Sequence, residues 1–187
     1  MTTKRILLRR LDLPGHDIAT LEPVPSGWAL SGTAVFTFEQ RPCRLDYLVS
    51  CDVAWRTTAA EVIGVVGDRK VDVRVSVDPK RRWHANGAER AAVEGCLDID
   101  LGFTPSTNLL PIRRLALAVG EEAVVTAAWL PFPSLEFEPL PQVYGREGEL
   151  RYRYESNGGA FTRILDVDMA GFVTAYPGLW LAESAAP

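Results

Sequence analysis

The chain has 187 residues, of which 47% are hydrophobic and 24% are charged, and its formal net charge is −4. These proportions are ordinary for a globular protein and exclude disorder as its main state. The negative charge argues against nucleic acid as a partner, because a surface that binds phosphates usually has a basic excess.

Hydropathy and cysteine content narrow the class of protein further. No stretch approaches the roughly 18 continuous apolar residues of a membrane-spanning helix, and the N-terminal residues lack the apolar run of a signal peptide. The three cysteines, Cys43, Cys51 and Cys96, are odd in number and have no CxxC spacing. They predict buried free thiols in a reducing compartment rather than a disulfide framework or a metal site. We therefore expect a cytoplasmic protein without a transmembrane segment.

Alternation of apolar and polar residues dominates the chain and predicts β-strands. The clearest case is Val71 to Asp78, which places four valines on one face, and Gly67-Asp68 before it is typical of a hairpin turn. Regularly spaced turn residues separate further predicted strands. These strands are 28–38, 44–55, 97–101, 113–119, 123–129, 150–155, 161–167 and 171–176. The pattern predicts an all-β fold, a long antiparallel meander forming a barrel or a roll with little helix.

A proline-rich segment suggests how the single domain, residues 1–187, is organised. The segment from Leu130 to Gln142 contains four prolines, which disfavour a central strand and predict a rigid extended connection. We expect it to separate two β-rich halves, 1–130 and 131–187, that share one core. A loose similarity between 47–87 and 152–178 is compatible with two related halves or with chance likeness of hairpins.

The stretch from Leu97 to Arg114 contains the densest group of candidate site residues. Alternation puts Asp98 and Asp100 on one face, with Cα atoms about 6.6 Å apart. That spacing suits the two carboxylates of an inverting glycosidase, a hard cation with further ligands, or salt bridges to Arg113 and Arg114. In a strand the two arginines point to opposite faces, so at most one of them serves a given site.

Two further features bear on the chemistry of this stretch. The loop from Thr104 to Asn108 either caps its own backbone or contacts a ligand. Trp83 has the most polar sequence neighbourhood of the five tryptophans, which favours it for stacking on a ligand. The two histidines are far apart in sequence, and the motifs of common hydrolases, P-loop proteins and dinucleotide-binding enzymes do not occur.

The same stretch carries a resemblance to a known family. Its order of residues resembles the motif of the bacterial glycolipid-binding family, and the likeness extends from about Gly27 to Trp180. The matching residues are Cys96, Asp98, Asp100, Leu101, Thr104, Pro105, Thr107, Asn108, Leu110, Pro111, Ile112, Arg113, Arg114 and Leu115. The resemblance implies a β-roll of two similar halves, similar to the half-barrels of bacterial lipoprotein carriers. It also implies an apolar groove for an acyl chain with a polar mouth.

These observations lead to a hypothesis with two alternatives. The first is a non-enzymatic protein that binds an amphipathic small molecule such as a glycolipid, without cofactor or metal. Its expected ligand-binding residues are Trp83, Asp98, Asp100, Thr104, Asn108, Arg113, Arg114 and Tyr176. The alternatives are a hydrolase of sugar- or lipid-like substrates that uses the aspartate pair as acid and base, and a ligand-free protein whose polar motif is a structural lock.

Overall fold

The computed structural model describes residues 2–185 and is built around one sheet of fifteen strands that curls into an open roll. The predicted all-β roll is therefore confirmed. The strands are β1 Lys4–Arg10, β2 Gly15–Val24, β3 Gly27–Phe38, β4 Arg41–Cys51, β5 Thr57–Val66, β6 Arg69–Val77, β7 Trp83–Ala85, β8 Ala88–Glu89, β9 Ile99–Leu101, β10 Glu122–Leu130, β11 Glu138–Gly148, β12 Arg151–Ser156, β13 Phe161–Val167, β14 Val173–Tyr176 and β15 Trp180–Ala185.

The first and last strands of the chain are neighbours in the middle of this sheet. β1 pairs with β15 in antiparallel register, with Arg10 opposite Trp180. From this pair the meander β1 to β8 runs to one edge of the sheet, and β15 to β9 fills the other side. Residues 90–98 join the two edges, and the amide of Thr57 at the start of β5 donates to the carbonyl of Leu97 in this crossing. The crossing therefore ties the two edges of the roll together.

Alternation explains most of the strands. Val71 and Val75 of β6 are 5% and 6% exposed, and Gly67-Asp68 forms the turn that places Val66 opposite Arg69. β1 and β2 precede the first strand expected from the sequence. Ile6 and Leu8 of β1 are buried, whereas Arg5 and Arg9 on the other face are exposed, and this short basic segment lies in the middle of the sheet between β2 and β15.

The proline-rich segment differs from its prediction as a connection. Its second part lies in β11, which pairs with β10 on one side and with β12 on the other. Pro139 and Pro141 lie opposite Ala128 and Thr126 of β10, whereas pairing with β12 begins only at Gln142. The prolines therefore lie where β11 has one neighbour and a missing N–H costs no ladder bond. The strands before and after residue 131, β10 and β11, pair with each other in the sheet. The chain crosses from one edge of the sheet to the other between β8 and β9.

The interior of the roll is filled by the chain itself. The side chains of Phe103, Leu109, Leu110 and Ile112 are at most 5% exposed, and Leu109–Leu115 forms α1, the one α-helix among residues 2–185. The strand expected at 113–119 is therefore wrong. Pro111 is the third residue of the helix, where an N–H has no intrahelical acceptor. The first four residues of the helix are all buried, so its first turn shows no amphipathic pattern.

One five-residue turn occurs three times at strand ends. It begins at Asp52, Asp78 and Asp168, and in each case Oδ1 accepts the amides two and four residues later. The fourth residue has a positive φ: 66° at Trp55, 63° at Arg81 and 99° at Gly171. Asp78 and Asp168, which lie in the two loosely similar stretches 47–87 and 152–178, thus begin the same kind of turn.

Candidate functional site

The two aspartates of the central motif have different partners. Asp98 pairs with Arg114 of α1, with Nε 2.9 Å from Oδ1 and Nη2 2.5 Å from Oδ2. The side chain of Asp98 is 2% exposed and that of Arg114 is 14% exposed. The expected salt bridge of Asp98 is thus formed by Arg114 and not by Arg113, and it joins β9 to the interior helix.

Asp100 contacts a glutamine and a tyrosine network instead. Nε2 of Gln142 donates to Oδ2 of Asp100 at 2.7 Å and to the hydroxyl of Tyr154 at 3.0 Å. Burial raises the pKa of Asp100 to about 6, although the bond from Gln142 favours the charged form. Asp100 is therefore a carboxylate that changes its charge near neutral pH.

Asp100 lies at the wall of a cavity of about 240 Å³, which we call the aromatic cavity. Asn157 at its rim is exposed, so water reaches it. Five aromatic side chains share the wall with five polar ones and with smaller apolar residues. The lining residues are Asp100, Leu101, Gly102, Thr104, Pro105, Asn108, Trp129, Leu140, Tyr154, Ser156, Asn157, Phe161, Tyr176, Leu179 and Trp180. Apolar walls with a few placed polar groups are typical of small-molecule sites.

Four of the eight expected site residues line this cavity: Asp100, Thr104, Asn108 and Tyr176. Nδ2 of Asn108 donates to the buried hydroxyl of Tyr144 at 2.8 Å. That bond fixes the direction of the amide, so its carbonyl oxygen remains able to accept a further hydrogen bond.

The other four residues lie elsewhere. Trp83 is fully buried and its Nε1 donates to the carbonyl of Cys96 at 3.1 Å, which makes it a core residue. Asp98 and Arg114 form the ion pair. The guanidinium of Arg113 lies 5.1 Å from the ring of Trp55 and lines a second cavity at the other end of α1.

Asp17 anchors the loop that forms part of the aromatic cavity, and the sequence analysis did not single it out. It is 0% exposed and accepts hydrogen bonds from Thr104 Oγ1 at 2.7 Å, Ser106 Oγ at 2.9 Å and the Tyr47 hydroxyl at 3.0 Å. Burial raises its pKa to about 6, against the opposing effect of these three donors. The sequence pattern could have indicated a buried carboxylate, because alternation places Asp17 on the same inward face of β2 as Ala19 and Leu21.

The sequence also did not predict that the aromatic residues of the cavity wall lie together. Trp129, Phe161 and Trp180 are separated by up to 51 positions, and no motif links them. Arg10 of β1 lies 5.3 Å from the ring of Trp180 and 5.0 Å from that of Phe36. The guanidinium of Arg10 thus holds the Trp180 wall of the aromatic cavity in place through a cation–π contact.

The cysteines and two whole-molecule features complete the description. Cys43, Cys51 and Cys96 are free and buried, as predicted. Among residues 2–185 no three His, Cys, Asp or Glu side chains are grouped closely enough to hold a metal ion. In the same residues no helix has the length and apolar character needed to cross a membrane.

Comparisons with known proteins point to one family. A family described as putative glycolipid-binding matches residues 6–182. A crystal structure of a DUF1089-family protein from Pseudomonas aeruginosa is similar over 88% of this chain and 91% of its own, with 31% identity and a TM-score of 0.78. No protein with a curated description matches the sequence significantly.

Proposed function

Because the chain belongs to the family described as putative glycolipid-binding, we propose that it binds the sugar headgroup of a glycolipid in the aromatic cavity. The observation that carries the proposal is the arrangement of Asp100 and Asn108 among aromatic walls. A sugar ring has apolar faces and hydroxyl edges. Trp129, Tyr176 and Trp180 supply flat apolar surface, and the two polar side chains supply acceptors for hydroxyl donors.

The size of the cavity supports a headgroup rather than a whole lipid. Its 240 Å³ lies between an engineered cavity of about 150 Å³ that holds benzene and the roughly 300–1,000 Å³ of drug-sized sites. One ring fits this space, whereas a ring with a long acyl chain does not. Phe103, Leu109 and Leu110 already fill the interior of the roll, so the acyl chain would remain outside it.

The positions of the carboxylates favour binding over hydrolysis. A two-carboxylate mechanism needs both acids beside the scissile bond. Asp100 lines the aromatic cavity, but Asp98 is held in its ion pair with Arg114 and does not line it. The alternative of an aspartate-pair hydrolase therefore has no geometric support. The structural-lock alternative fits the Asp98–Arg114 pair and not Asp100.

Titration with octyl glycosides tests the proposal, with octanol as the sugar-free control and tryptophan fluorescence as the readout. We expect the glycosides to bind more tightly than octanol. In Asp100→Ala the affinity should fall at least tenfold, because a hydrogen bond to a charged group contributes about 1.5–3 kcal/mol. Trp83→Phe should leave the affinity unchanged. Equal binding of octanol, or equal affinity in folded Asp100→Ala, would contradict the proposal.

The charge of Asp100 provides a second test. Its pKa of about 6 means that acidification from pH 7 to pH 5 neutralises the acceptor. Glycoside affinity of the wild type should therefore fall over this range, and that of Asp100→Asn should change less. A wild-type affinity that is independent of pH would show that Asp100 does not accept from the ligand.

A further inference from the structure

Arg113 is a cation without an anionic partner at a cavity wall. Its Nε is buried and has no hydrogen-bond acceptor, and no carboxylate of residues 2–185 forms an ion pair with it. Its neighbour Arg114, by contrast, is paired with Asp98. An unpaired guanidinium in a partly buried place is costly unless something else binds it.

Two turns of the roll hold Arg113 in position. The ring of Trp55 lies 5.1 Å from its guanidinium carbon, and Trp55 in turn stacks on Trp28 with ring centroids 4.4 Å apart. On the other side Gly171 leaves room for the side chain, because a Cβ there would lie 3.2 Å from Cδ of Arg113. Trp55 and Gly171 occupy the same position of the repeated turn. Arg113 is therefore fixed before any ligand arrives, which lowers the entropic cost of binding.

The cavity beside Arg113 has a volume of about 340 Å³, and we call it the arginine cavity. Ile112, Leu150 and Met169 give it an apolar wall, and Met169 is 74% exposed while Leu150 is 38% exposed. Arg146 adds a second positive charge, but its donors bind the carbonyls of Leu117 and Glu149. That charge is thus not neutralised by a carboxylate.

The two acidic residues at this cavity do not pair with Arg113. Oδ1 of Asp168 accepts the backbone amides of Ala170, Gly171 and Phe172, each at 2.9 Å. Glu149 is exposed at the rim. The position beside the Arg113 guanidinium therefore remains open to an external anion.

We propose that the arginine cavity binds an oxyanion attached to an apolar chain, either a carboxylate or a phosphate monoester. The planar guanidinium of Arg113 would bind two oxygens of the anion, a geometry that suits both groups. Ile112, Leu150 and Met169 would contact the first carbons of the chain. This site is separate from the aromatic cavity and does not depend on the function proposed for it.

Calorimetric titration of the whole protein with octanoate, octyl phosphate, inorganic phosphate and octanol tests the proposal. We expect octanoate or octyl phosphate to bind at least tenfold more tightly than octanol. Arg113→Met, which keeps most of the stem and removes the charge, should weaken anion binding at least tenfold. Arg44→Met is the matched control, because Arg44 is an exposed arginine paired with Asp46, and it should leave the affinity unchanged.

A second variant keeps the test decisive if Arg113→Met does not fold. Met169→Glu places a negative charge at an exposed position of the same wall and should also weaken octanoate binding at least tenfold. Anions that bind no better than octanol, or unchanged affinity in Met169→Glu, would overturn the proposal. Inorganic phosphate that binds as tightly as octyl phosphate would overturn the role of the apolar wall. Asp100→Ala should not affect octanoate, which separates this result from the glycoside experiment.

Discussion

Arg114 and Asp98 form a two-point ion pair inside the roll, with Nη2 and Oδ2 2.5 Å apart and the aspartate side chain 2% exposed. Arg114 belongs to the helix that fills the interior, and Asp98 directly precedes the parallel edge strand β9. The pair therefore fastens the interior helix to the edge where the chain crosses between the two groups of strands.

Removing one partner of this pair should strongly destabilise the protein. Asp98→Ala leaves the guanidinium of Arg114 largely buried without a counterion, which costs about 3–5 kcal/mol of unfolding free energy. Urea denaturation at pH 7 measures the change. Asp166→Ala removes an exposed pair with Arg151, whose side chains are 44% and 57% exposed, and should cost far less, because solvent screens exposed ion pairs. Similar losses in the two variants would contradict the structural role of Asp98.

Asp17 should make stability depend on pH. Its pKa is raised from 3.8 to about 6 in the folded state, so the folded protein binds this proton more readily than the unfolded chain. The resulting stabilisation is complete below pH 3.8 and is lost as the pH rises through 6. A difference of about two pH units corresponds to about 3 kcal/mol.

The comparison of wild type with Asp17→Asn isolates this effect from other groups. Between pH 4 and pH 7 the wild type should lose about 2 kcal/mol of unfolding free energy relative to the variant, which is less than the full effect because the unfolded carboxyl is only partly protonated at pH 4. A difference between wild type and Asp17→Asn that does not change with pH would show that the pKa of Asp17 is not raised in the folded protein.

Gly32 should be essential for the approach of Tyr47 to Asp17. A Cβ at Gly32 would lie 2.3 Å from the Tyr47 hydroxyl oxygen and 2.5 Å from the carbonyl oxygen of Ile18. The backbone oxygen has little freedom to move, so Gly32→Ala should cost about 1–3 kcal/mol through overpacking.

A glycine with free space provides the control for this substitution. At Gly148 the nearest atom to an added Cβ is Cβ of Arg151 at 3.5 Å, which is an ordinary contact. Thermal denaturation of Gly32→Ala and Gly148→Ala should therefore give a clearly lower midpoint for the first. Equal midpoints would mean that Tyr47 can move aside without loss.

The strands were predictable wherever one face of the sheet is buried and the other is wet. β6 follows strict alternation and β13 follows it in part, and the bounds of both strands match the prediction within a residue or two. Pro139 and Pro141 misled the prediction, because a proline is excluded from a strand only where both neighbours are present. Whether the second neighbour is present is decided by where β12 ends, at Ser156 opposite Gln142.

The site was predictable in its residue types and not in its grouping. The order from Cys96 to Leu115 identified Asp100, Thr104 and Asn108 together, but alternation could not reveal that residues 109–115 form a buried helix. For the same reason Arg113 and Arg114 were placed on opposite faces of a strand. In the helix the two side chains also point apart: Arg113 lies against Trp55, and Arg114 pairs with Asp98.

The sequence by itself determined the all-β class, the hairpins, the buried thiols and the family motif, because periodicity and turn residues act over a few positions. Only the tertiary structure decided which side chains share a cavity. Trp129, Phe161 and Trp180 meet Asp100 because the roll brings β10, β13 and β15 around one loop. Asp17 meets Thr104 across 87 positions because a buried carboxylate needs donors and the interior segment supplies them. These long-range contacts depend on how the sheet curls, which no local pattern encodes.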